Sequence, residues 1–230
     1  VFAEAASCAR ALRNYEKASE LAAQIPIEPI AKTARMEILL AQRKWTDVIE
    51  QFGKEALNEW PFTEIGVAAF ARGRAHYGVK NGEEAEADFQ LALEYTADPR
   101  TRLNLLGAIA RNRENVLQND DLALKAYREI ISSKPNRSGA DYLAGLQGAA
   151  RLLTKRKDFD EALKILDQVD AQKLSGSWFG SMLLTRAQTL DAAGRKDAAL
   201  NAYHAVLKNK TSQKGHSERA KQAIEKLESR

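Results

Sequence analysis

The chain has 230 residues, 44% hydrophobic and 29% charged, with 39 alanines, 13 glycines, five prolines, three histidines and one cysteine. One cysteine excludes an internal disulfide framework and any cysteine-rich zinc or iron–sulfur site, and no apolar run approaches the roughly 18–20 residues that span a bilayer. The formal charge of +4 comes from the end of the chain, where residues 205–230 hold seven basic side chains against three acidic ones, so the balance is weak support for a nucleic-acid-binding body.

The opening VFAEAASCARAL reads as an Ala-rich amphipathic helix in which Cys8 is expected as a small buried hydrophobe. It lacks the basic start and apolar run of a signal peptide. Opening on Val1 rather than Met reads as a processed or excised piece, with any targeting segment already removed. Further along, six stretches share a pattern: NYEKASELAAQI, KWTDVIEQFGKEAL, GEEAEADFQLALEY, NDDLALKAYREII, DFDEALKILDQV and RKDAALNAYHAVL. Their anchors are Ala18, Val48, Ala85, Ala123, Ala162 and Ala199, separated by 30, 37, 38, 39 and 37 residues. Four residues after each anchor stand Ala22, Phe52, Phe89, Tyr127, Leu166 and Tyr203, on the same helical face.

About a dozen residues before each anchor, with four more in the fourth unit, a partner helix carries its own packing residue at Ala6, Met36, Gly73, Gly107, Ala150 and Ala187. Each unit then reads as helix, short turn, helix, with turns at QRK before Trp45, KNG before Glu83, KRK before Asp158 and AGR before Lys196. Prolines 26, 29, 61, 99 and 135 all fall between units, and residues 173–177 and 209–217 serve the last two junctions. SERAKQAIEKLES, apolar at Ala220, Ala223, Ile224 and Leu227, closes the chain as a capping helix over 214–229. No segment alternates with period two, so no sheet is expected. One hairpin cannot bury its apolar face alone, so stacked hairpins are expected to share a continuous core. The expectation is an all-α, right-handed solenoid in a single domain over residues 1–230, with repeats near 1–26, 27–60, 61–98, 99–135, 136–172 and 173–209.

These residues resemble the tetratricopeptide repeat family. The best matches are GRAHYGVKNGEEAEADFQLALEY, GAARLLTKRKDFDEALKILDQV and RAQTLDAAGRKDAALNAYHAVL, while DLALKAYREIISSKP reproduces a second helix with its closing proline. The resemblance is strong over about residues 62–208 and weaker before, where Met36 and Val48 stand at usually small positions. Spacings of 37–39 exceed the family's usual length of about 34. The Sel1-like family has longer repeats but fits less well, because its recurrent glycine loop is missing from most units. The resemblance implies a non-catalytic scaffold that holds a peptide or partner protein along a concave face lined by the first helix of each pair.

Helical spacing from the packing residues places Phe70, Arg74, Tyr77, Asn104, Arg111, Gln147, Arg151, Lys155, Ser181, Thr185 and Gln188 on the solvent side of those first helices. Guanidinium and amide groups there suit an acidic or extended peptide, with Phe70 and Tyr77 as apolar anchors. Some family members clamp a partner's terminal carboxylate with asparagines, but Arg74, Arg151 and Gln188 stand in those places, so that clamp does not carry over.

Signs of catalysis are few. His76, His204 and His216 are far apart and lack a second ligand at metal spacing, and His76 reads as a packed structural residue. The pairs Glu83–Glu84 and Asp120–Asp121 read as turn residues that complement the positive ends of second helices. No phosphate-loop, dinucleotide or nucleophile-elbow motif occurs, so neither enzyme activity, cofactor nor metal is expected. Trp45, Trp60 and Trp178 are irregularly spaced and read as packing residues, and the groove residues vary between units, which disfavours a nucleic-acid code. Two other roles are open at this stage: an assembly or spacer module of a larger protein, and weak anionic-polymer binding through the basic end.

Overall fold

A computed structural model describes residues 1–133, 139–169, 177–209 and 212–229. Among them the chain is all-helical and has no strand. In order come α1 (Phe2–Ala11), α2 (Tyr15–Ala23), α3 (Glu28–Ala41), α4 (Trp45–Phe52), a single 3-10 turn (Leu57–Glu59), α5 (Phe62–Gly78), α6 (Gly82–Glu94) and α7 (Pro99–Asn115). Then follow α8 (Asp120–Ser132), α9 (Ala140–Lys155), α10 (Phe159–Leu166), α11 (Ser177–Ala192), α12 (Lys196–Lys208) and α13 (Lys214–Glu228). They gather into two compact units, residues 1–123 and 124–230. Part of the fourth junction, with Pro135, and most of the fifth lie outside the described residues.

Every helix packs on the next along the chain wherever both are described within a unit, and the odd-numbered helices also pack on each other. In the first unit α1 touches α3, α3 touches α5 and α5 touches α7; in the second, α9 touches α11 and α11 touches α13. Among the described residues α2, α4 and α6 do not pack on one another, nor do α10 and α12. Within each unit the odd helices therefore touch one another as well as their even neighbours, most closely within each helix hairpin.

The turns follow the sequence period. Arg13, Arg43, Lys80, Gln118, Lys157 and Gly194 have φ of 61°, 61°, 67°, 52°, 67° and 72°, each five residues before an anchor. In five of the six turns the next N–H reaches back five residues, as in Asn81 to the His76 carbonyl and Asp158 to that of Leu153, both 2.9 Å. This left-handed residue with its long return bond is a Schellman cap, which satisfies carbonyls the helix end leaves open. The fourth turn is one residue longer, Asn119 donating to Arg113 at 2.7 Å. A side chain at positive φ is sterically disfavoured, so Lys157→Gly is expected to raise stability by about 0.5–1 kcal/mol, and Gly194→Ala to lower it by about 1. Urea midpoints of the two variants, moving in opposite directions, check this.

The anchors work by burial. Ala18, Val48, Ala85, Ala123, Ala162 and Ala199 are all 0% exposed, and the residues four later are no more than 6% exposed. Gly73 lets the buried Phe89 ring close on α5: a Cβ there would meet the ring at 2.7 Å. α13 buries Ala220, Ile224 and Leu227, as a capping helix requires, while Ala223 is half-buried.

Three local expectations need correcting. Cys8 is exposed, not buried, because α1 is packed along one side only and its single buried residue, Ala6, lies on that side. Pro29 and Pro99 stand in the first turns of α3 and α7, where a missing N–H costs nothing. Glu83–Glu84 and Asp120–Asp121 likewise lie inside the first turns of α6 and α8, still beside the positive helix end.

A buried charged group joins α4, α5 and α6. Arg72 donates from Nε and Nη2 to Asp88 Oδ2 and Oδ1 at 2.9 and 2.7 Å, and from Nη1 to the Glu55 carbonyl at 2.8 Å. His76, packed as expected and 8% exposed, lies with Nε2 3.9 Å from Asp88 Oδ2, and its Nδ1 is buried without a partner. Burial holds the His76 pKa below its ordinary 6.5; Asp88 and Glu84 push the other way and Arg72 adds to the lowering. Below pH 6.5 the unfolded chain therefore takes up a proton that the folded chain refuses, and stability falls with pH until the folded His76 also titrates. The expected slope from this group is at most about 1.4 kcal/mol per pH unit. His76→Gln, compared with the native chain in urea titrations from pH 5 to 8, is expected to flatten it.

Candidate binding clefts

Of the cavities that open beside the odd-numbered helices, two, one in each unit, hold the residues read from helical spacing. The larger, about 540 Å³, is lined by Trp45 of α4, Phe70, Arg74, Tyr77 and Gly78 of α5, Phe89 of α6, and Asn104, Ala108 and Arg111 of α7. Phe70, Arg74 and Tyr77 are spaced by four and three residues, as are Asn104, Ala108 and Arg111, so each set forms one stripe along its helix. Phe89 forms the base: it is 1% exposed and its ring centroid lies 6.0 Å from that of Phe70, tilted by 60°. Trp45 packs flat against Gly78, where a Cβ would come within 2.7 Å of the indole.

The two arginines of this cleft differ. Arg74 Nη1 donates to Glu37 Oε1 at 3.2 Å, and its guanidinium stands 5.8 Å from the Phe70 centroid. Glu37 also accepts from Arg10 at 3.1 Å, so one carboxylate is shared by two cations. Arg111 is exposed, and among the described residues it makes neither an ion pair nor a hydrogen bond. Tyr77 accepts at its hydroxyl from Asn115 Nδ2 at 3.3 Å, and Lys80 Nζ lies 5.5 Å from its ring centroid.

The second cleft, about 230 Å³, is polar. Gln147, Arg151 and Thr154 of α9, Ser181, Leu184, Thr185, Gln188 and Thr189 of α11, and His216 and Arg219 of α13 line it. Gln147 Nε2 donates to Ser181 Oγ at 2.6 Å and Thr185 Oγ1 at 2.8 Å, which ties α9 to α11. Thr154 and Thr189 hydroxyls meet at 2.9 Å. Thr185, expected to face solvent, is 8% exposed, because its hydroxyl is drawn into this interhelical ladder.

Of the eleven residues read from helical spacing, five line the first cleft and five the second; Lys155, exposed at the end of α9, lines neither. Spacing along one helix missed Trp45, Phe89, His216 and Arg219, which enter from neighbouring helices. Trp45 and Phe89 were legible only as packing residues, and His216 and Arg219 stand four and one residues before the buried Ala220, on adjoining faces of α13. Trp60 does pack, half-buried against the first unit's core with Lys32 Nζ 5.8 Å from its ring centroid, while His204 is exposed. Among the described residues no helix is long and apolar enough to cross a membrane. A scan of protein-family models finds none that matches the chain, and a search of curated proteins returns no match.

Proposed function

We propose that the chain is a tetratricopeptide-like right-handed solenoid of six helix-turn-helix repeats with a capping helix, and that it acts as a non-catalytic scaffold for a peptide or partner protein. The observation that carries this reading is the gathering of ten spacing-derived residues into two clefts on odd helices that touch one another. In a curved stack, the layer whose members touch directly lies on the inner side, where an extended ligand meets several helices at once. The six turns in register with the anchors support the repeat count. Most cleft side chains belong to helices rather than loops, which favours a preformed binding surface over a mobile catalytic one.

The shape is tested by small-angle X-ray scattering. A compact globule of this length has a radius of gyration of about 17 Å, and the solenoid is expected to exceed that by several ångströms. The function is tested by selecting random linear peptides against the purified chain. Enrichment of peptides over an unrelated helical protein is the expected result; a chain that enriches none is not a peptide-binding scaffold.

A further inference from the structure

Resting on the peptide-binding reading, the larger cleft narrows the ligand's chemistry. Its lining holds four aromatic rings, two guanidinium groups and one amide, and no Asp or Glu among the described residues. Its volume of about 540 Å³ lies within the usual range for organic ligands and exceeds what one side chain fills. Arg74 already has a carboxylate partner in Glu37, whereas Arg111 has none among the described residues. Glu37 is shared with Arg10, so the cleft keeps an excess of positive charge, and Arg111 carries its wholly unpaired share across from Phe70 and Tyr77. A cationic ligand is repelled there, and a purely apolar one leaves Arg111 without a partner.

Spacing sets the reach. Asn104 and Arg111 are seven residues apart on α7, about 10 Å along the helix axis, which is roughly three residues of extended peptide. An exposed amide at Asn104 suits a ligand backbone, and a guanidinium suits a carboxylate, which it holds with two parallel hydrogen bonds. We propose that this cleft binds an extended peptide through an aromatic side chain seated on Phe70 and Tyr77 and a carboxylate held by Arg111. The carboxylate comes from an acidic side chain or from the peptide's own C-terminus.

The test selects random peptides of about 12 residues in two formats, one with a free C-terminus and one embedded in a carrier, against the whole chain. Peptides enriched on the native chain are synthesised and measured against Arg111→Glu and against Lys221→Glu, an equal charge change on the exposed side of α13. Arg111 pairs with none of the described residues, so circular dichroism of its variant is expected to match the native chain. The expected result is an aromatic–carboxylate pair in the enriched peptides, at least tenfold weaker binding to Arg111→Glu, and unchanged binding to Lys221→Glu. Enrichment in the free-end format alone assigns the carboxylate to the terminus, and enrichment in both assigns it to a side chain. Enriched peptides that lack the pair, or that bind Arg111→Glu as tightly as the native chain, overturn the proposal while leaving peptide binding intact. A selection that enriches nothing overturns both.

Discussion

Replacing Arg72 by alanine is expected to lower the stability of the first unit by about 3–5 kcal/mol, measured as a reduced urea midpoint with an unchanged slope. The side chains of Arg72 and Asp88 are only 13% and 7% exposed, so both charges have left water, and two parallel hydrogen bonds are what compensates. Removal of the arginine strands the buried Asp88 carboxylate and leaves His76 Nε2, at 3.9 Å, as a cation source beside it. It also frees the Glu55 carbonyl that Arg72 Nη1 caps beyond the end of α4. Arg72 is one cause of the lowered His76 pKa, so its loss lets His76 protonate more readily beside Asp88. The defect is therefore expected to shrink as pH falls below 6.5, the reverse of the native trend. A double variant, Arg72→Met with Asp88→Leu, removes both charges and is expected to recover most of the loss.

Gly148→Ala is expected to cost the second unit about 2 kcal/mol, although alanine is the better helix former by about 1. A Cβ at 148 would stand 2.4, 2.5 and 2.6 Å from Cζ, Cε1 and Cε2 of Tyr127. Three ring atoms meet it at once, and Tyr127 is 3% exposed, so the ring has no free space into which to tilt. Overpacking in a dense interior outweighs the gain in propensity. Gly215→Ala supplies the contrast: a Cβ there meets nothing within 4 Å, and that variant is expected to gain about 0.5–1 kcal/mol. Thermal unfolding of the two variants, shifting in opposite senses, checks the argument. Equal shifts would place the Gly148 effect in helix propensity rather than in the Tyr127 contact.

Much of the candidate site was legible because it depends on one helix at a time. Phe70, Arg74 and Tyr77 follow from Gly73 by counting along α5, and Asn104 and Arg111 follow from Gly107 on α7. The count fails where a second helix intervenes. Thr185 has the right phase on α11, yet Gln147 of α9 reaches across to it and takes it out of solvent. Lys155 has the right phase too, but it is the last residue of α9 and lines neither cleft. His216 and Arg219 come from a helix whose sequence advertises only its buried Ala220, Ile224 and Leu227.

The sequence by itself determined the helices, the phase of their buried faces and the places where the chain turns. Those depend on periodicity, proline and small residues, which act within a few residues of one another. It did not determine which residue takes the left-handed conformation, since Arg13, Arg43, Lys80, Gln118 and Lys157 carry no glycine signal. Only the tertiary structure decided which charges are paired. Arg72 finds Asp88 sixteen residues on, Arg74 finds Glu37 thirty-seven back, and Arg111 finds no partner among the described residues. Pairing of that kind depends on the rotation of one packed helix against another, set by the fit of rings such as Phe89 and Tyr127 against glycines, and no local pattern encodes it.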